Sequence, residues 1–192
     1  VIEFFDEAGV LQCATNPIRI EPAPVSRHFW GDLHGQSEET IGTGTAEAYF
    51  KFARDSAFVD ITGHQGNDFQ ITTEFWKHLD DLCAAFNEDG HFIAIPGYEW
   101  SGNTGLGGDR NIYFPDEGRV LRRSSHALVS DHSDINNDCH SATELFAAFA
   151  ENDEDDVVMF AHCGGRYADI ELAHDGQFEK AMEVHSSWGT FE

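Results

Sequence analysis

Phe29-Trp30-Gly31-Asp32-Leu33-His34-Gly35-Gln36 is the stretch on which the reading of the fold turns. It opens apolar and closes polar around a glycine, which is how a short buried strand runs into a loop. Side chains alternate across a strand, so Asp32, His34 and Gln36 are expected on one face. His34 can offer a ring nitrogen to a metal, and Gln36 a carbonyl oxygen. Asp32 can ligate, or can orient a ligand imidazole from behind it.

Outward from this strand the chain alternates strand and helix. Gly42-Thr43-Gly44 precedes a helix over about 45–57, where Ala46, Tyr49, Phe50 and Ala53 recur at helical spacing. Phe58 to Thr62 reads as a second strand. Thr72 or Thr73 caps a longer helix with Phe75, Leu79, Leu82 and Phe86 as its apolar stripe, and Gly90 as its stop. Phe92 to Pro96 is a third strand leading into Gly97-Tyr98-Glu99-Trp100. A glycine-rich loop follows, then a strand at Asn111 to Phe114. Residues 115–140 are polar and irregular, a stretch long enough to be read as functional. Ser141-Ala142-Thr143-Glu144 is a capping box for a helix through Ala150. Val157 to Ala161 and Ala181 to His185 are two more strands. This alternation predicts an α/β domain over 28–192 with a mostly parallel sheet, open or closed. Residues 1–27 read as a lead-in or as the end of an upstream unit, with strands at Phe4-Phe5 and Val10-Leu11, broken by Pro17, Pro22 and Pro24.

Composition narrows the role. The 35 acidic and 11 basic residues give a formal charge of −24. Such a field repels nucleic acid and anionic lipid. The run Asp153-Glu154-Asp155-Asp156 reads as an exposed turn. Four cysteines without C-x-x-C spacing point to a reducing, cytoplasmic setting rather than a disulfide framework. No apolar run has the length of a membrane span.

The chemistry gathers at strand ends. His34, His64, His162 and His185 each fall at or just past the C-terminal end of a predicted strand, and Glu99 takes the equivalent place after the third. That edge is where sites form in parallel sheets and barrels. Any one buried histidine is more often a hydrogen-bonded core residue; the repeated position is what points to a shared metal. Gly164-Gly165-Arg166 lets backbone approach a ligand and places Arg166 to hold an anionic group. The sequence has no G-x-S-x-G elbow, phosphate-binding Walker loop or H-E-x-x-H helix.

These residues resemble the motifs of the polymerase and histidinol phosphatase (PHP) superfamily, closest to its branch of large metal-dependent hydrolase-like proteins. Asp32-Leu33-His34-Gly35-Gln36-Ser37 resembles the first motif, Thr62-Gly63-His64 the second, Pro96-Gly97-Tyr98-Glu99-Trp100-Ser101 the third, and Ala161-His162-Cys163-Gly164-Gly165 a later one. Glu183 to Gly189 resembles the segment after it. The resemblance implies a distorted (β/α)7 barrel, partial here because the sequence stops at Glu192 before the closing Asp-x-His. It implies two or three divalent ions (Zn, Mn or Fe) held by His34, Gln36, His64, Glu99, His162 and His185. It implies hydrolysis of a small, anionic phosphoester, with Glu99, Asp32 and Arg166 as catalytic candidates. Gln36 and Gly63 stand where the family has histidine and aspartate. Hydrolysis of an amide or another ester is the alternative, as is a non-catalytic metal- or ligand-binding domain of a larger protein.

Overall fold

The computed structural model describes residues 1–15 and 28–190. Pro17, Pro22 and Pro24 lie outside the described residues. The lead-in is an antiparallel hairpin of β1 (Glu3–Phe5) and β2 (Leu11–Ala14), with Phe4 and Phe5 more than half exposed.

The first half of the domain follows the expected alternation. Strands β3 (Gly31–Gly35), β4 (Ile61–His64) and β5 (Ile93–Ile95) pair in parallel, in that order. The connection from β3 to β4 carries α1 (Ala46–Phe52), whose Thr45 hydroxyl accepts from the Ala48 amide at 3.1 Å. It continues as a π-helical segment over Ala53–Ala57, and Phe58 ends it with φ at 52°. The connection from β4 to β5 carries α2 (Thr73–Phe86), capped by Thr72 and burying Phe75, Trp76, Leu79, Leu82 and Cys83. That helix ends at Asn87, before Gly90.

The second half departs from it. After Ile95 the chain passes through Pro96, which has no N–H for a ladder, and enters a different sheet. Strands β6 (Gly97–Trp100), β7 (Arg110–Tyr113), β8 (Val158–Ala161) and β9 (Glu179–Met182) form it in that order. The β6–β7 and β7–β8 pairs are antiparallel; only β8–β9 is parallel. A parallel return needs a crossover of about a dozen residues or more, usually helical. The loop 101–109 is too short for that, so β7 folds back antiparallel. Helix α3 (Ala142–Glu151) is the one α-helix in this half, with the Ser141 hydroxyl accepting from the Glu144 amide at 3.2 Å. The Glu144 carboxylate accepts from the His140 amide at 2.7 Å, one residue earlier than a capping box requires. Strands β10 (His185–Ser186) and β11 (Gly189–Thr190) make a separate small hairpin.

The expected (β/α)7, TIM-like barrel is therefore corrected. Among the described residues there are three α-helices and four separate small sheets, with no closed barrel. The fold is mixed α/β. One bridge, Asn67 to Glu99, joins the two larger sheets, with the Glu99 amide donating to Gly66 and the Asp68 amide donating to Glu99, each at 2.9 Å. Phe50, Ile71, Leu79, Tyr98, Trp100, Ile112, Phe114, Phe149 and Phe178 form one continuous core between these layers.

Residues 115–140 hold their place through buried charge rather than regular structure. Arg123 is fully buried and donates to Ile71 O at 3.0 Å and to Asp134 at 2.7 Å. His126 sits between Asp138 (2.6 Å) and Asp134 (3.0 Å).

Candidate metal centre

The register of the second sheet builds the centre. Glu99 on β6 lies opposite Asn111 on β7, and Asn111 lies opposite Phe160 on β8. Phe160 lies opposite Ala181 on β9. Alternation then puts Asp109, His162 and Glu183 on the same face as this row, one step further along. The ladder continues at that step, because the His162 amide donates to Asp109 O at 3.1 Å and the Glu183 amide to Ala161 O at 2.9 Å.

His34 arrives from β3. Its strand end is fixed by the Tyr113 hydroxyl on Leu33 O (2.7 Å) and the Thr62 hydroxyl on Asp32 O (2.8 Å). Gly35 meets the Tyr49 ring so closely that a Cβ there would sit 1.9 Å from it. This tight approach sets the direction in which His34 leaves the sheet.

Glu183 is the hub. One carboxylate oxygen accepts from His34 Nδ1 and the other from His162 Nδ1, each at 2.5 Å; Asn111 donates to the first, also at 2.5 Å. Glu99 is buried and accepts from Asn67 at 3.0 Å, His34 Nε2 at 3.4 Å and Gln36 at 3.5 Å. The His34 and His162 rings meet edge to face with centroids 5.0 Å apart. Ligating atoms of His34, His162 and Glu183 lie within 4.8 Å of one another, and so do those of Glu99, Asp109 and His162. The two groups overlap at His162.

The electrostatics match this crowding. Burial alone lowers the His34 pKa, but bonds to Glu183 and Glu99 outweigh it and raise it to about 10. Burial raises Glu183, and the partners His162 and His34 overcome that and bring it to about 2. Burial, then the charge of Glu99, pushes Asp109 up to about 9, against the pull of Arg166. Asp109 is 3% exposed, and its Oδ1 is buried with no hydrogen-bond partner among the described residues.

The sequence-predicted residues fall into three groups. His34, Glu99 and His162 come together. Gln36 and Arg166 flank them. The Gln36 amide nitrogen faces Glu99, but its carbonyl, the atom a metal would use, accepts from the Thr40 hydroxyl at 2.7 Å. Arg166 Nε lies 3.4 Å from Asp109, and its guanidinium stands over the Phe69 ring at 5.3 Å. Asp32 and His64 stand apart, while His185 lines a cavity of about 540 Å³ with His34, Gln36 and Glu183. A register shift between Asp32 and Gly35 breaks the alternation that would have aligned Asp32 with His34; Asp32 is exposed and accepts from the His34 amide instead. His185 is exposed on β10, because β9 stops at Met182. Both nitrogens of His64 are engaged: Nδ1 accepts from the Gly66 amide at 3.2 Å, so Nε2 donates to Ser37 Oγ at 2.8 Å.

Sequence reasoning did not assign Glu183, Asp109, Asn111 or Asn67 to the centre. Glu183 had a readable signal, a carboxylate on the face of a predicted strand. Asp109 closes a glycine loop and carries none.

Burial lowers the His64 pKa from 6.5 to about 4. A pKa depressed on folding contributes stability that is complete above the unfolded value and is lost as pH falls toward the folded one. Between about pH 7 and about pH 5, wild type is expected to lose on the order of 2 kcal/mol more stability than His64→Gln. Urea unfolding at the two pH values checks this; parallel losses in both proteins would place the acid sensitivity elsewhere.

Fold and site together define the class: a mixed α/β domain that gathers imidazoles and carboxylates where strands of two sheets end. The chain belongs to the family described as Protein of unknown function (DUF3604), which matches residues 9–165. It is 28% identical over 178 residues to an uncharacterised protein of Chlamydia trachomatis, and 24% identical over 178 residues to one of Chlamydia pneumoniae. Both alignments cover 92% of this chain and 27% of the relative. An uncharacterised protein of Chlamydia muridarum is 23% identical over 203 residues, covering 98% of this chain and 31% of its own length. The chain thus spans about a third or less of these curated relatives. Among the described residues, no helix is long and apolar enough to cross a membrane.

Proposed function

We propose that this chain carries the metal centre of a hydrolase acting on a small anionic phosphoester. The observation that carries the reading is the pair of overlapping ligand groups, His34–His162–Glu183 and Glu99–Asp109–His162. Mixed imidazole and carboxylate donors suit Zn²⁺, Mn²⁺ or Fe²⁺. The fit is supported by Asp109, which has a buried oxygen without a hydrogen-bond partner among the described residues and sits so close to Glu99 that the two carboxylates cannot both be charged unless a cation lies between them. A neutral imidazole has one free lone pair, so His162 completes one group and leaves the other to its remaining donors. His34, His162, Glu183, Glu99 and Asp109 would hold a divalent metal, which would supply an acidified water and polarise the ester oxygen.

The protein's own groups have separate tasks. Asn67 and Asn111 fix the carboxylates of Glu99 and Glu183 through hydrogen bonds. Arg166 lines a cavity of about 240 Å³ together with Glu99, Asp109 and His162, where it can hold a phosphoryl oxygen. Gln36 orients Glu99 rather than ligating.

The test is metal content and turnover of full-length protein supplied with Zn²⁺ or Mn²⁺, against a panel of phosphoesters, carboxylic esters and amides, with Glu183→Gln alongside. Wild type is expected to retain metal and hydrolyse a phosphoester, and Glu183→Gln to lose on the order of 100-fold in metal affinity. Retained metal without turnover on any ester or amide makes the chain a metal-binding domain instead. Failure of wild type to hold metal rejects both readings.

A further inference from the structure

A second cavity, of about 310 Å³, adjoins the metal-proximal one, and Arg166 and Phe69 line both. The guanidinium stands over the Phe69 ring and donates to Ser101 O at 3.4 Å, so the pair stands where the two cavities meet. The second cavity has two kinds of lining. Phe69, Leu106 and Leu128 line it with apolar surface; Asn103, Ser125 and His140 line it with hydrogen-bonding groups. Its frame is rigid where it matters. The buried Asp68 carboxylate accepts from the Ser101 amide at 3.0 Å, from the Ser124 hydroxyl at 3.1 Å and from the Ser124 amide. His140 Nδ1 donates to Ser124 O at 2.9 Å, which leaves Nε2 an acceptor in the neutral ring.

Apolar surface combined with donors and acceptors in one cavity matches a particular ligand chemistry. A cyclic polyol has a C–H face and a hydroxyl rim; a plain aryl group has no rim, and a linear alkyl group no hydroxyls. We infer that this cavity is the leaving-group subsite of the same centre and that the substrate is a phosphorylated cyclic polyol. The phosphoryl group lies on the Asp109–His162 side of Arg166, and the sugar-like ring lies on the Leu128–Ser124 side. The inference rests on the phosphoesterase reading for the position of the phosphoryl group.

The experiment measures binding and turnover separately, on full-length protein loaded with Mn²⁺. Glucose 6-phosphate, phenyl phosphate and inorganic phosphate are titrated by calorimetry, and release of phosphate is followed in parallel. The sugar phosphate is expected to bind about tenfold more tightly than the other two, a difference a few hydrogen bonds supply. Leu128 is 66% exposed, so a larger side chain there is tolerated by the fold. Leu128→Trp, or Leu128→Phe if the first folds poorly, is expected to reduce the preference for sugar phosphate over inorganic phosphate to about twofold or less. Equal binding of all three ligands, a preference for phenyl phosphate, or a preference untouched by either Leu128 variant overturns the inference while leaving the hydrolase reading intact. Selective, Leu128-dependent binding of sugar phosphate without release of phosphate does the reverse.

Discussion

Replacing His162 with alanine is expected to strip the chain of bound metal and of phosphoester hydrolysis together. His162 belongs to both ligand groups, is 5% exposed, and holds Glu183 at 2.5 Å. Its removal leaves neither group with three donors. It also frees one oxygen of the carboxylate that His34 shares. A loss of metal affinity on the order of 100-fold or more follows, since even residues that merely support ligands cost 10–100-fold. Metal per chain after dialysis against a weak chelator, read beside turnover of an aryl phosphate, is the measurement. His78→Ala is the control, because His78 is exposed on α2. Full metal retention by His162→Ala would remove the centre from its assigned place.

The second large effect concerns stability. Arg110 on β7 is fully buried. It donates to Glu179 at 3.1 Å, Ala173 O at 2.7 Å, Gly108 O at 2.8 Å and Gly107 O. Those last two carbonyls belong to the turn that delivers Asp109. Gly107 and Gly108 have positive φ, and a Cβ on Gly108 would sit 1.9 Å from Tyr167 O. No other residue type fits that turn, so Arg110 is clamped to it. Arg110→Ala takes the guanidinium from the buried Glu179 carboxylate, which keeps only the His174 ring and the Asp175 amide on its other oxygen; breaking such a buried pair costs about 3–5 kcal/mol. For a domain of this size the melting temperature falls by roughly 10 °C. The double change Arg110→Met with Glu179→Leu is expected to be less damaging than Arg110→Ala alone, because it removes both charges. Denaturant unfolding of the three proteins checks this; a loss below about 1 kcal/mol for Arg110→Ala would mean that the pair is replaceable by solvent.

How much of this was legible in the chain differs by element. Helix α2 and its Thr72 cap, helix α3 and its Ser141 cap, and the parallel trio β3, β4 and β5 follow from periodicity and capping chemistry. The antiparallel return at β7 does not follow from periodicity. It depends on a short glycine loop and on Pro96 diverting the chain between sheets. His185 falls past the end of β9, on β10, where it lines a cavity with His34 and Glu183 instead of closing a barrel strand.

The ligand set divides in the same way. His34, Glu99 and His162 stand at strand ends that local sequence marks out. Glu183 and Asp109 join them only through register: Phe160 opposite Ala181 brings Glu183 beside His162, and the antiparallel β7–β8 ladder brings Asp109 beside it. Asp32, two residues from His34, leaves the face because the strand slips by a bulge, a distortion that a period-2 reading does not contain. His64 sits at a strand end as expected, yet two hydrogen bonds from elsewhere use both of its nitrogens. The sequence by itself determined the acidic character of the domain, its helix caps, its first three parallel strands and three of the groups in its candidate centre. Only the tertiary structure decided which carboxylates complete them, because that choice is made by strand pairing between segments far apart in the chain.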